Sequence, residues 1–156
     1  MIQSAENSLR NLGIELPDPM APKGVYRNVL VSGNMLTTSG HLPVDPQGNF
    51  ILGKLGDQLD ADAGFAAARQ AGLAILASLQ EELGSLDRVV RVVKILGFVN
   101  CTADFTAQPA VINGCSELFR DIFGEEHGVG TRSAVGAPSL PLGVAVELEA
   151  MFEISS

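Results

Sequence analysis

From Val144 to Ile154 the chain alternates without a break, with Val144, Val146, Leu148, Ala150, Phe152 and Ile154 set against Ala145, Glu147, Glu149, Met151 and Glu153. A period of two predicts a strand that buries one face and carries carboxylates on the other. Just upstream, Arg132 enters a short apolar run that ends at Ala137, and a Pro-rich turn through Pro138 and Pro141 follows. If these two runs pair as a hairpin about that turn, Arg132 and Glu147 fall roughly opposite each other. A fixed guanidinium beside a carboxylate can hold a substrate carboxylate through two hydrogen bonds and leave a base free for water. From the spacing alone, a plain ion pair at a strand edge is the favoured reading of the two residues.

The pattern upstream predicts alternating strands and helices. Ala5 to Leu12 forms a short helix ended by Gly13, and Pro17, Pro19 and Pro22 then hold the chain extended. Residues 1–23 therefore read as an N-terminal extension to a single domain over residues 24–156. Tyr26 to Val31 and Met35 to Ser39 pair as a hairpin about Ser32-Gly33-Asn34. Gly40-His41-Leu42-Pro43 ends the second strand, and a turn-rich loop from Asp45 to Asn49 follows. Asp60 or Asp62 caps a helix running to Leu83, with Gly84 placed to end it, and Phe65, Ala68, Gly72, Ile75, Leu76, Leu79 and Leu83 make one stripe. Arg88 to Val99 is rich in Val and Ile on both faces, which predicts a central strand. Thr106 to Phe123 is a second helix with Asn113 off its core stripe, pointing either to solvent or to a partner. Glu125 to Gly130 reads as a mobile loop, and His127 within it as an exposed, inert histidine. The order hairpin, helix, strand, helix, hairpin gives an α+β layer with the helices on one sheet face. The other face, part carboxylate and part apolar, reads as an oligomer surface.

Composition narrows the function. At 156 residues with 46% hydrophobic and 18% charged residues, the chain is one ordinary domain with a sizeable core. A net charge of −8, with ten basic residues and no basic cluster, speaks against a nucleic-acid binder. The sequence lacks a charged segment followed by an apolar one at its start, and no apolar run approaches membrane-spanning length. A cytoplasmic protein with no membrane partner is expected. The two cysteines, Cys101 and Cys115, lie in apolar surroundings and read as reduced core residues. Two histidines without ligand partners at suitable spacing speak against a metal site.

Several short stretches together resemble the Rid family, the reactive-intermediate (imine) deaminases also called the YjgF or endoribonuclease L-PSP family. They are Gly24-Val25-Tyr26, Gly33-Asn34-Met35 through Thr38-Ser39-Gly40, Asn113, Arg132-Ser133 with Leu140-Pro141, and Glu147-Leu148-Glu149-Ala150. The resemblance spans about Gly24 to Ile154. It implies a chorismate-mutase-like α+β subunit, a mixed β-sheet with two helices on one face, assembled as a homotrimer with sites in the clefts between subunits. It implies no cofactor and no metal. By the same resemblance, Arg132 corresponds to the arginine that grips the substrate carboxylate, and Glu147 to the carboxylate that orients or activates water. Tyr26, Ser39, Gly40 and Asn113 correspond to further substrate-binding positions.

The activity so implied is hydrolysis of a 2-enamine or 2-imino acid, such as 2-aminoacrylate, to a 2-keto acid and ammonia. The alternative is a non-catalytic, regulatory protein that binds small carboxylates in the same cleft. Ribonuclease activity finds no histidine pair at the cleft, and chorismate rearrangement rests on fold analogy, with only Arg132 and Arg27 as cations. The chain departs from the better-studied deaminases at Ala134, where many members carry a cysteine, and at His41, where glutamine is common. Its N-terminal extension resembles that of a less-characterised branch.

Overall fold

The structure, a computed structural model, describes residues 3–156. In chain order its elements are α1 (Ala5–Leu12), β1 (Val29–Ser32), β2 (Met35–Thr38), α2 (Ala61–Leu83), β3 (Val89–Asn100), α3 (Gln108–Phe123), α4 (Glu125–Gly128), β4 (Thr131–Ala137) and β5 (Val146–Ile154). The strands form one mixed sheet in the order β1-β2-β5-β3-β4. All neighbours are antiparallel except β3 and β4, which run parallel. This is an α+β fold with α2 and α3 layered on one face of the sheet.

The alternation in β5 is realised as expected. Val146, Leu148, Ala150, Phe152 and Ile154 are buried under the helices, while Glu147 and Glu149 lie on the open face. Phe119 and Phe123 of α3 pack on Phe152 at centroid distances of 5.6 and 6.4 Å, the first ring tilted and the second edge-on. Local signals set the helix ends. The Asp60 side chain accepts from the Ala63 amide, and Gly84 closes α2 in the left-handed region at φ 78°. The two helices approach so closely that a Cβ on Gly114 would lie 2.0 Å from the Phe65 carbonyl oxygen.

The extension packs on this frame. Ala5 and Leu9 of α1 are buried in the common core, and the Glu6 carboxylate accepts from the Leu86 amide at 2.8 Å. Residues 14–23 then run without regular structure toward Tyr26. There the Asn28 amide donates to the Met20 carbonyl, tying this proline-rich strap to the start of β1.

Several expectations need correction. β4 and β5 are not a hairpin, because β3 lies between them: Ile95 pairs with Arg132, and Phe98 with Glu147. α3 carries the chain across so that β4 returns parallel to β3 at the sheet edge, a connection a tight turn cannot make. β1 begins at Val29 rather than Tyr26, since residues 24–28 bend to meet the strap. Glu125 to Gly128 is a packed helical turn rather than a mobile loop, and a Cβ on Gly128 would lie 2.5 Å from the Phe119 carbonyl oxygen. His127 is part-buried within that turn, and its Nδ1 has no hydrogen-bond partner.

Candidate functional site

Arg132 stands on β4, the free edge of the sheet. It pairs with Ile95, a buried residue on the helix-covered face, so its side chain runs toward α3. Its Nη1 donates to Asn113 Oδ1 at 2.6 Å and to Ser116 Oγ at 3.2 Å. Asn113 and Ser116 lie three residues apart on α3 and so share one helical face. Both acceptors are neutral, and among the described residues no carboxylate lies within ion-pair distance of Arg132. The edge ion pair with Glu147 does not form. The two neutral acceptors orient the guanidinium and leave its charge uncompensated, the state that suits an incoming carboxylate.

Glu147 lies elsewhere. It pairs with Phe98, three residues along β3 from Ile95 and therefore on the opposite face of the sheet. Two strand spacings sideways and three residues along place its Cα about 14 Å from that of Arg132. Burial raises its carboxyl above the ordinary range, and the neighbouring Glu149 adds to the rise. Gly40 covers it from the adjacent segment, where a Cβ would lie 2.1 Å from Glu147 Oε1. No residue with a side chain fits there without displacing the carboxylate.

Gly40 owes its place to an irregularity. Thr37 pairs with Met151, but His41 pairs with Leu148, so the register slips by one between them. The Thr38 hydroxyl takes the slipped bond, accepting from the Ala150 amide at 3.0 Å. The Ser39 hydroxyl donates to the Arg27 carbonyl, fixing this bend against the segment that carries Tyr26. Tyr26 is half-exposed, and its hydroxyl accepts from the Lys23 amide at 3.4 Å. His41 turns inward: Nδ1 donates to the Ser39 carbonyl at 2.7 Å, and Nε2 accepts from the Ser78 hydroxyl at 2.8 Å. Burial lowers its pKa, against the opposing pull of the Ser39 carbonyl, so the ring is a neutral strut.

The expected site residues thus fall into two groups. Arg132 and Asn113 form one cluster at the β4 edge; Tyr26, Ser39, Gly40 and Glu147 form another beyond β5. Sequence reading missed Ser116, whose signal is its i+3 spacing from Asn113. It also missed Ser78, a hydroxyl inside the Ala- and Leu-rich stripe of α2. The Cys115 thiol, buried behind Arg132, is pushed up by its burial despite that positive neighbour and is inert.

The sequence model of the family described as "YjgF/chorismate mutase-like, putative endoribonuclease" matches residues 6–153. The chain belongs to the YjgF family. Protein TCP17 of Trypanosoma cruzi is 44% identical over 149 residues, covering 96% of this chain and 93% of its own. A Shewanella oneidensis crystal structure, which carries the same endoribonuclease label, superposes with a TM-score of 0.92 at 31% identity, over 97% of this chain and all (100%) of its own. RidA from an Antarctic Psychrobacter superposes less closely, with a TM-score of 0.61 at 27% identity over 98% of each chain. The match begins within α1, so residues 6–23 of the extension lie in the matched region. Among the described residues no helix is long and apolar enough to cross a membrane. No group of three or more potential ligands there could hold a metal ion.

Proposed function

We propose that this YjgF-family protein hydrolyses 2-imino acids, such as the imine of 2-aminoacrylate, to 2-keto acids and ammonia. The observation that carries the reading is Arg132, a part-buried cation positioned by neutral acceptors, with no carboxylate within ion-pair distance among the described residues. Its substrate carboxylate would take two guanidinium donors and draw electron density from the imine carbon. Glu147, whose raised pKa makes it a stronger base than an ordinary carboxylate, takes a proton from water as the oxygen adds to that carbon. The proton passes to nitrogen to give the carbinolamine; Glu147 then relays the hydroxyl proton to the same nitrogen, the C–N bond breaks, and ammonia leaves as the C=O bond forms. An imine is already electrophilic, so placement supplies most of what the reaction needs.

Arg132 and Glu147 cannot reach one small substrate within a single chain. The reading therefore includes a homotrimer, in which the β4 edge of one copy meets the Gly40–Glu147 region of the next. The open face supports assembly: Leu30, Val135 and Met151 are exposed there beside the carboxylates, a mixed patch of the kind that subunits cover.

The test is release of ammonia and keto acid from 2-aminoacrylate generated in situ by a dehydratase. Acceleration by the wild-type protein, lost in Arg132→Ala, is expected. Saturable binding of 2-keto acids without any acceleration would overturn catalysis in favour of a carboxylate-binding regulator.

A further inference from the structure

A cavity of about 320 Å³ lies behind Gly40, between the proline-rich strap and α2. Its walls are Met20 and Ala21 of the strap, Leu42 and Phe50 from the segment after β2, Ala74 of α2, and Leu142. The polar groups at its base, His41 and Ser78, are bonded to each other and offer nothing unpaired to a ligand. Asp18 and Lys23 at the strap carry opposite charges, so the cavity lining has no net charge to attract an ion. It occupies about ten times the volume of a liquid water molecule, at the lower limit for small-molecule pockets. Water held against such walls is displaced favourably by apolar groups. Tyr26 and Gly40 line the cavity too, and Gly40 is the residue packed directly on the Glu147 carboxylate. The strap residues between Ile14 and Lys23 are joined to the body by few hydrogen bonds, chiefly that from Asn28 to Met20, so the roof can adjust to what it covers.

We propose that the strap builds a side-chain pocket next to the reaction centre, which selects 2-imino acids with uncharged aliphatic or aromatic side chains over the smallest ones. The proposal rests on the deaminase reading for its reaction, but binding tests it independently. The bound carboxylate would remain with Arg132, the imine carbon beside Glu147, and the side chain would pass Gly40 into the cavity. His41 stays neutral on burial, which keeps the base of the pocket uncharged near neutral pH.

The experiment measures affinity by calorimetry for a series of 2-keto acids, pyruvate, 2-oxobutanoate, 4-methyl-2-oxopentanoate and phenylpyruvate. In parallel, an amino-acid oxidase supplies the matching imines and their hydrolysis is followed. Two variants are compared with the wild type: Ala74→Leu, which fills the cavity, and Met20→Ala, which trims an exposed strap residue and leaves the core untouched. Affinity is expected to rise at least tenfold from pyruvate to 4-methyl-2-oxopentanoate. Ala74→Leu should erase that gain and Met20→Ala reduce it severalfold, each leaving pyruvate within about twofold. Equal affinity along the series, or a gain untouched by both variants, would overturn the pocket. If no imine is hydrolysed but the affinity trend and its loss persist, the deaminase reading fails and the pocket stands. If small imines are hydrolysed with no preference for longer ones, the reverse holds.

Discussion

At the scale of single residues, the proposed site depends on one cation with no carboxylate partner among the described residues and on one crowded carboxylate. Arg132→Ala removes two charge-assisted hydrogen bonds worth roughly 1.5–3 kcal/mol each, so KM for a small imino acid should rise by about a hundredfold or more, enough to abolish acceleration at ordinary substrate levels. The thermal midpoint should barely move, because Asn113 and Ser116 are part-exposed and can turn to water. A large fall in midpoint would make Arg132 a structural residue. Gly40→Ala acts through Glu147: the new Cβ overlaps the end of a flexible side chain, which swings away at little cost to the fold. Turnover should drop at least tenfold, since misplacement of a reacting group by about 1 Å is enough for that. Unchanged turnover would remove Glu147 from the chemistry. The raised pKa of Glu147 also has a consequence for stability. An acid whose folded pKa lies above its unfolded value stabilises the fold below the unfolded value and loses that contribution as pH rises through the folded one. Glu147→Gln should therefore have a higher midpoint than wild type near pH 8 and no advantage near pH 4. The opposite ordering would mean that the carboxylate is paired in solution.

At the scale of elements, the fold was largely legible and the site only in part. The two-residue period of β5, the Asp60 cap and the Gly84 stop of α2 are local signals, and each appears where the sequence placed it. Strand adjacency is not local. Arg132 and Glu147 are close in sequence and joined by prolines, which suggested a hairpin, but the two-sided apolar character of β3 already required a neighbour on each side. β5 and β4 are those neighbours. Burial of the His41–Ser78 pair was equally hidden, because a serine in a helix stripe shows its partner only once the sheet is built. Glycines at the α2–α3 crossing give the sharpest test at this scale. Gly114→Ala drives a Cβ against the Phe65 carbonyl oxygen, backbone that cannot swing aside, and should cost about 2–3 kcal/mol, lowering the midpoint by roughly 4–12 °C. An unshifted midpoint in differential scanning calorimetry would mean that the helices part freely.

At the scale of the whole molecule, the two halves of the site face different ways, Arg132 with Asn113 at the β4 edge and Glu147 under Gly40 on the open face. On the proposed reading, the chemistry is complete only where one copy's edge meets another copy's open face. The extension adds a strap to that second half, and the cavity beneath it shares Gly40 with the carboxylate's surroundings. The measurement that tests this account most directly is imine hydrolysis by mixed oligomers, formed by co-expressing Arg132→Ala and Glu147→Gln chains with different tags and purifying through both. Each variant alone should be inactive. In a trimer that contains both chains, an intact arginine meets an intact glutamate at about one third of the sites, whichever chain is in the majority, so the doubly purified mixture should recover about that share of wild-type activity. A mixture as inactive as its components, in oligomers shown to contain both chains, would contradict a site shared between subunits.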